Sequence, residues 1–260
     1  MQLKNKSWIF FLIFFVLFFV FGCSKEDSPV FRVALAANTQ YVMEEMKELY
    51  SKETGEKIEP IIGSSGKLYK QIVEGAPFAL FLSADQSFAK MLQENQLNSG
   101  EPVTYAQGVL VFWSLKKEMV KEDFSDMLGT EYLKIGYCNP ALAPYGKAAL
   151  EYLKNSGMYE KIQNKLIEAE SISQVNQYIL TENVTGGFTA KASAVAPAMK
   201  GKGFWKEVPA RGYAPIKQDL IITSYGNTNL KEKAQKFAAF ILSDKGREVF
   251  MKYGYGVPSN

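Results

Sequence analysis

From Val30 onward the chain alternates two hydrophobic periodicities, and this alternation constrains the fold more than any other feature. The run VFRVALAA (Val30–Ala37) is short, apolar and unbroken, as in a strand buried on both faces. The segment Thr39–Gly55 then places Val42, Met46, Leu49 and Tyr50 at helical spacing and closes at Gly55. The same exchange recurs. Strands are expected at Lys57–Gly63, Phe78–Asp85, Val103–Ser114, Leu133–Pro140 and Lys217–Asn227. Helices are expected at Lys67–Val73, Gln86–Gln93 and Tyr145–Asn155, with a helical tail over Asn229–Gly254 broken near Ser243–Gly246. Strands alternating with helices read as an α/β fold. No Gly/Ser/Pro-rich linker divides the body. Two lobes would therefore be joined by strands, with Val103–Ser114 and Tyr213–Asp219 as the crossings. Met199–Pro209, basic and aromatic, reads as a solvated loop anchored by Trp205.

The first residues read as a targeting segment. Lys4 and Lys6 precede an apolar run from Trp8 to Phe21, short for a membrane span and suited to the core of a signal peptide. Val20-Phe21-Gly22-Cys23 resembles a bacterial lipoprotein signal. The expectation is a signal peptide over 1–22, lipidation at Cys23, a tether over 23–29, and a body outside the cytoplasmic membrane. Uncleaved anchoring or ordinary secretion would give the same side.

Composition removes whole classes of chemistry. The chain has no histidine, so Ser-His-Asp catalysis, HExxH zinc sites and most imidazole acid–base mechanisms are out of reach. Its two cysteines, Cys23 and Cys138, leave no CxxC site in the body. Cys138 lies on an apolar run and reads as an inert buried thiol. Without Lys4 and Lys6, 28 basic residues face 27 acidic ones, with no basic cluster, so nucleic-acid binding is not expected.

What remains is concentrated where strands end and helices begin. Four such stations are small or polar: Ala36–Thr39, Gly63–Gly66, Asn139–Gly146 and the segment around Ser171–Ser173. In open α/β sheets, ligands gather beyond the carboxyl ends of strands. A helix start offers unpaired N–H groups and about half a positive charge. Several starts meeting at one point would hold an anion without Lys or Arg. Asn38, Ser65 and Tyr145 would add neutral donors, and Gly63 and Gly66 would allow close approach. Two other readings compete for Gly63–Gly66. Ser and Asn before a helix are ordinary caps. Ser64-Ser65-Gly66-Lys67 also fits the S-x-x-K nucleophile motif, but S-D-N and K-T-G are absent from the chain. The chain therefore reads as a non-enzyme.

GSSGKLYKQIVEGAPFALFLSADQ (Gly63–Gln86) resembles the signature of periplasmic molybdate-binding proteins, the ModA family of ABC importers. AAN (Ala36–Asn38), NPALAPYGKAAL (Asn139–Leu150), APIKQDLIITSYG (Ala214–Gly226) and FAAFILSDKGREVFMKYGYGVP (Phe237–Pro258) follow in the family's order. The resemblance implies a type II periplasmic-binding-protein fold: two α/β lobes, a two-strand hinge, and an oxyanion in the cleft. Lobe 1 would comprise 30–107 and 214–260, and lobe 2 would comprise 108–213. The implied oxyanion ligands are Asn38, Ser65 through hydroxyl and amide, Tyr145, and Ile172 through its backbone N–H. Ala37 and Ser64 are further candidates, Ser64 mainly shaping the loop, and Lys67 would face solvent.

The first station usually has serine where this chain has Asn38. The usual tyrosine of the GGFTAK region is Ala190 here, and Tyr145 stands where the commonest pattern has a small residue. A subgroup with Asn and Tyr at these stations resembles the chain. The implied function is capture of molybdate, and of tungstate, for an ABC permease by a lipid-anchored monomer without cofactor. Its only bound metal would be that of the oxyanion. Sulfate or phosphate binding, or a sensory module built on the same site, are the alternatives.

Overall fold

The computed structural model describes residues 29–121, 124 and 134–258; the leader, Cys23 and most of the tether lie outside them. Ten strands form two sheets among the described residues. The first contains β1 (Arg32–Ala36), β2 (Glu59–Gly63), β3 (Leu80–Leu82), β4 (Asn98–Gly108) and β10 (Ile216–Thr223), in the order β2-β1-β3-β10-β4. The second contains β5 (Leu110–Ser114), β6 (Ile135–Cys138), β7 (Leu166–Ala169), β8 (Gly186–Ala190) and β9 (Phe204–Glu207), in the order β7-β6-β8-β5-β9.

Helices fill the connections: α1 (Gln40–Thr54), α2 (Ser65–Val73), α3 (Ser87–Glu94), α4 (Pro144–Asn155), α5 (Ile172–Leu180), α6 (Lys231–Leu242) and α7 (Asp244–Lys252). The first sheet is apolar on both faces, as the unbroken β1 run requires. Ala34, Phe81 and Ile221 face one side with Leu68, Ile72 and Leu92. Val33, Leu35, Leu80 and Leu82 face the other, with Val42, Met46, Phe237 and Phe250.

Register decides where the chain's polar stations come to lie. β1 pairs with β2 in parallel, Ala36 opposite Gly63, and with β3, Leu35 opposite Leu82. β6 pairs with β7 in parallel, Cys138 opposite Ala169. The first and second stations thus leave the first sheet at one edge. The third and fourth leave the second sheet side by side.

The structure departs from the sequence reading at four places. Val103–Ser114 is two strands, not one. It breaks at Val109 and passes from one sheet to the other, while β10 returns with Ile216 opposite Gly108. Met199–Pro209 is not simply a loop: Phe204–Glu207 forms β9 against β5, with Trp205 opposite Trp113. Its lysines and flanking glycines hide an edge strand half open to solvent. β7 carries no clear strand signal in the sequence, because Leu166–Ala169 is short and only partly buried. The strand expected to run to Asn227 stops at Thr223, whose side chain accepts from Gly226 N and caps a short helix, Ser224–Asn229. The expected break in the tail falls at Ser243, which accepts from Gly246 N at 3.2 Å.

Phe237 locks the tail to the first sheet. Its ring is fully buried, 4.8 Å from the Tyr50 ring and 6.1 Å from that of Phe31. Phe237→Ala should cost about 3–5 kcal/mol, read as a lowered denaturation midpoint.

Candidate functional site

At the second station, Ser64 occupies the cap position of α2 in an extended conformation (φ −68°, ψ 148°), yet its side chain caps nothing. Its hydroxyl is buried and has no partner. Ser65 is equally buried. Its Oγ accepts from Ala84 N at 2.9 Å, which leaves its own proton to donate. Gly66 N donates to Leu142 O at 2.9 Å, joining the second station to the third. A Cβ on Gly66 would stand 3.0 Å from the Leu142 Cα, so glycine permits this approach.

The third station is folded by Asn139. Its Oδ1 accepts from Ala141 N at 2.8 Å and its Nδ2 donates to Glu168 Oε1 at 2.7 Å. Pro144 then opens α4, as suits a first helical turn, and Tyr145 follows it into the interior. At the fourth station Ser171 is an ordinary cap, accepting from Gln174 N at 3.4 Å, while Gln174 Oε1 accepts from Glu170 N at 2.6 Å. Ile172 is buried at the first position of α5, where a backbone N–H has no carbonyl one turn back. α5 packs against the turn Ala37–Thr39, so the first and fourth stations also meet.

Asn38 behaves differently from the expectation of a side-chain donor. Its Nδ2 donates to Gln218 Oε1 at 2.9 Å and to Tyr255 Oη at 3.0 Å, which uses both amide protons. Its Oδ1 is buried without a partner. What the first station has left to offer an anion is main-chain N–H. Tyr145 ends beside the same amides: Gln218 Nε2 donates to its Oη at 3.2 Å. A Cβ on Gly108 would lie 2.1 Å from that oxygen, so the strand crossing between the sheets requires glycine there. Ala190 ends β8, fully buried, and brings no polar group.

No lysine or arginine is among the buried residues described. Lys67 does not simply face solvent; it pairs with Glu170 Oε1 at 2.9 Å, both half exposed, at the rim between the second and fourth stations. Ser173 Oγ donates to Gln40 Oε1 at 2.7 Å, a further tie between the helices that follow the two sheets' strands. Glu168, the other acidic residue near the fourth station, is exposed and accepts from Tyr137 and Asn139. Cys138 is buried, and burial drives its thiol pKa far upward. Sequence reasoning missed Tyr105, Gln218 and Tyr255, and also Ser193, whose buried hydroxyl has no partner. Polar residues inside the apolar runs of β4 and β10 were the available signal.

The family model for bacterial extracellular solute-binding proteins matches residues 31–256. The molybdate-binding protein ModA of Azotobacter vinelandii is 34% identical over 237 residues, spanning 91% of this chain and 93% of the relative. ModA of Rhodobacter capsulatus is 36% identical over 223 residues, spanning 85% and 86%. The solved structure of the periplasmic molybdate-binding protein of A. vinelandii superposes with a TM-score of 0.83 at 32% identity, covering 88% of this chain and 100% of that one.

Burial raises the phenol pKa values of Tyr105, Tyr145 and Tyr255 well above the ordinary 10. The neutral phenol is the form the fold favours. Its contribution is therefore intact below the unfolded phenol's pKa of about 10 and is lost as pH rises through the folded values. In a spectrophotometric alkaline titration, these phenols should ionise only as the protein unfolds. Reversible ionisation of all tyrosines near the ordinary value would contradict this.

Proposed function

We infer the function from descent: this chain belongs to the ModA family of bacterial extracellular solute-binding proteins. It is a binding protein, not an enzyme, and captures molybdate outside the cytoplasm for an ABC importer.

The ligand set is our proposal. Molybdate sits where the four stations meet, with main-chain N–H groups of Asn38, Ser65 and Ile172 and the hydroxyls of Ser65 and Tyr145 donating to its oxygens. The Ser64 hydroxyl and the Ala37 N–H stand next to them. The observation that supports this most is the Ser64 hydroxyl, which occupies a cap position, does not cap, and is buried unpaired. An ordinary turn would leave no such donor, since a buried polar group without a partner is costly. Every donor in the set is neutral, and a fully ionised tetrahedral dianion needs donors only. Tungstate, nearly isosteric with molybdate, should bind to the same groups. Sulfate has the same charge and shape and is separated only by size.

The reading includes two lobes, 30–107 with 214–260 and 108–213, closing on the anion. Gly66–Leu142, Lys67–Glu170 and Gln40–Ser173 are the contacts that would form on closure. It also includes a monomer without cofactor, held to the membrane by lipid on Cys23. Metabolic labelling with a fatty acid should mark the wild-type protein but not Cys23→Ser; a wild-type protein that takes up no label would remove the lipid anchor from the account.

Calorimetric titration against molybdate, tungstate, sulfate and phosphate tests the whole reading. Molybdate and tungstate should bind with similar affinity and the other two far more weakly. Ser65→Ala and Tyr145→Phe should each weaken molybdate by about 1–3 kcal/mol. A protein that prefers sulfate or phosphate would overturn the assignment.

A further inference from the structure

Behind Tyr145 lies a chain of buried hydrogen bonds whose direction is forced from one end. The Asn38 carbonyl can only accept, so the Tyr255 hydroxyl, 2.8 Å away, must donate to it. The Tyr255 oxygen is then left to accept, and the Asn38 amide nitrogen supplies it at 3.0 Å. That nitrogen also faces Gln218 at 2.9 Å, so Gln218 must present its carbonyl oxygen there. In this orientation the Tyr105 hydroxyl, 2.9 Å away, donates to the same oxygen, with the Ser83 carbonyl at 3.1 Å as its alternative acceptor. The nitrogen of Gln218 is consequently turned toward Tyr145, whose oxygen must accept at 3.2 Å. Tyr145 has one proton, which Gln218 in this orientation cannot accept.

We propose that Gln218 is a positioning residue for anion binding: it fixes the Tyr145 phenol as an acceptor from Gln218, so that its proton is not taken up there and is left for the oxyanion. This deepens the molybdate reading and rests on it. Were Gln218 turned over, its oxygen would face Tyr145 and take the proton. The cleft would then show the dianion a lone pair instead of a donor. The fully buried side chain of Gln218 and the room made by Gly108 hold the two groups at this separation.

A double-mutant cycle on molybdate affinity separates positioning from general support of the fold. Gln218→Met and Gln218→Leu should weaken molybdate by about tenfold, equivalent to about 1.4 kcal/mol. In a Tyr145→Phe background the same changes should have almost no further effect. Losses that multiply would overturn the proposal. A second measurement needs no change at Gln218. In the wild-type protein, ultraviolet resonance Raman spectra should show one tyrosine becoming a donor to a strong acceptor when molybdate is added, and Tyr145→Phe should lack that change. A spectrum in which molybdate shifts no tyrosine would also overturn it. Failure of the wild-type protein to bind molybdate would instead sink the ligand assignment, and this proposal with it.

Discussion

Two parallel pairings hold this molecule's chemistry in place: Ala36 opposite Gly63, and Cys138 opposite Ala169. Parallel strands end on the same edge, so everything that follows them starts from a common level. The turn at Ala37 and the helices beginning at Ser65, Pro144 and Ile172 therefore open toward one region. A slip of one residue in either pairing would turn the strand's side chains to the opposite face and move a helix start out of the group. The chain returns through β10, antiparallel to both β3 and β4, and brings Gln218 against Asn38 and Tyr145.

The second constraint is that, among the described residues, the interior has donors but no cation. A buried Lys or Arg would attract an anion strongly but would need a partner when the site is empty. Neutral N–H and O–H groups at helix starts avoid that difficulty, and each bond to a charged oxygen is worth about 1.5–3 kcal/mol. The one buried charge among the described residues, Asp219, is turned aside and accepts from Thr104 at 2.6 Å and Gln86 at 3.3 Å. Near the four stations the charge pair lies at the rim, where Lys67 meets Glu170. Half exposed, that pair contributes on the order of 0–1 kcal/mol, too little to hold an anion.

Local pattern made much of this legible. Hydrophobic period gave the strands and helices of the first sheet, and the run of small and polar residues at strand ends gave the four stations. Two edge strands were hidden, β7 by its brevity and β9 by its lysine and exposed aromatic residues. The relay behind Tyr145 had no local signature. Its members Asn38 and Gln218 lie 180 residues apart, and Asn38 and Tyr255 lie 217 apart. Sequence could suggest that Asn38 matters. Only the tertiary partners show that both its amide protons are already committed, which turns a side-chain donor into a structural link.

The central claim is that neutral groups from four strand ends surround one tetrahedral dianion. Anomalous diffraction at the molybdenum edge from crystals grown with molybdate tests it most directly. The account predicts one strong peak between the two sheets, with oxygens within hydrogen-bonding distance of Ser65 Oγ, Tyr145 Oη and the Ile172 N–H, and with no lysine or arginine beside it. A peak against a surface lysine, or one in the cleft that leaves Tyr145 and Ser65 untouched, would contradict it.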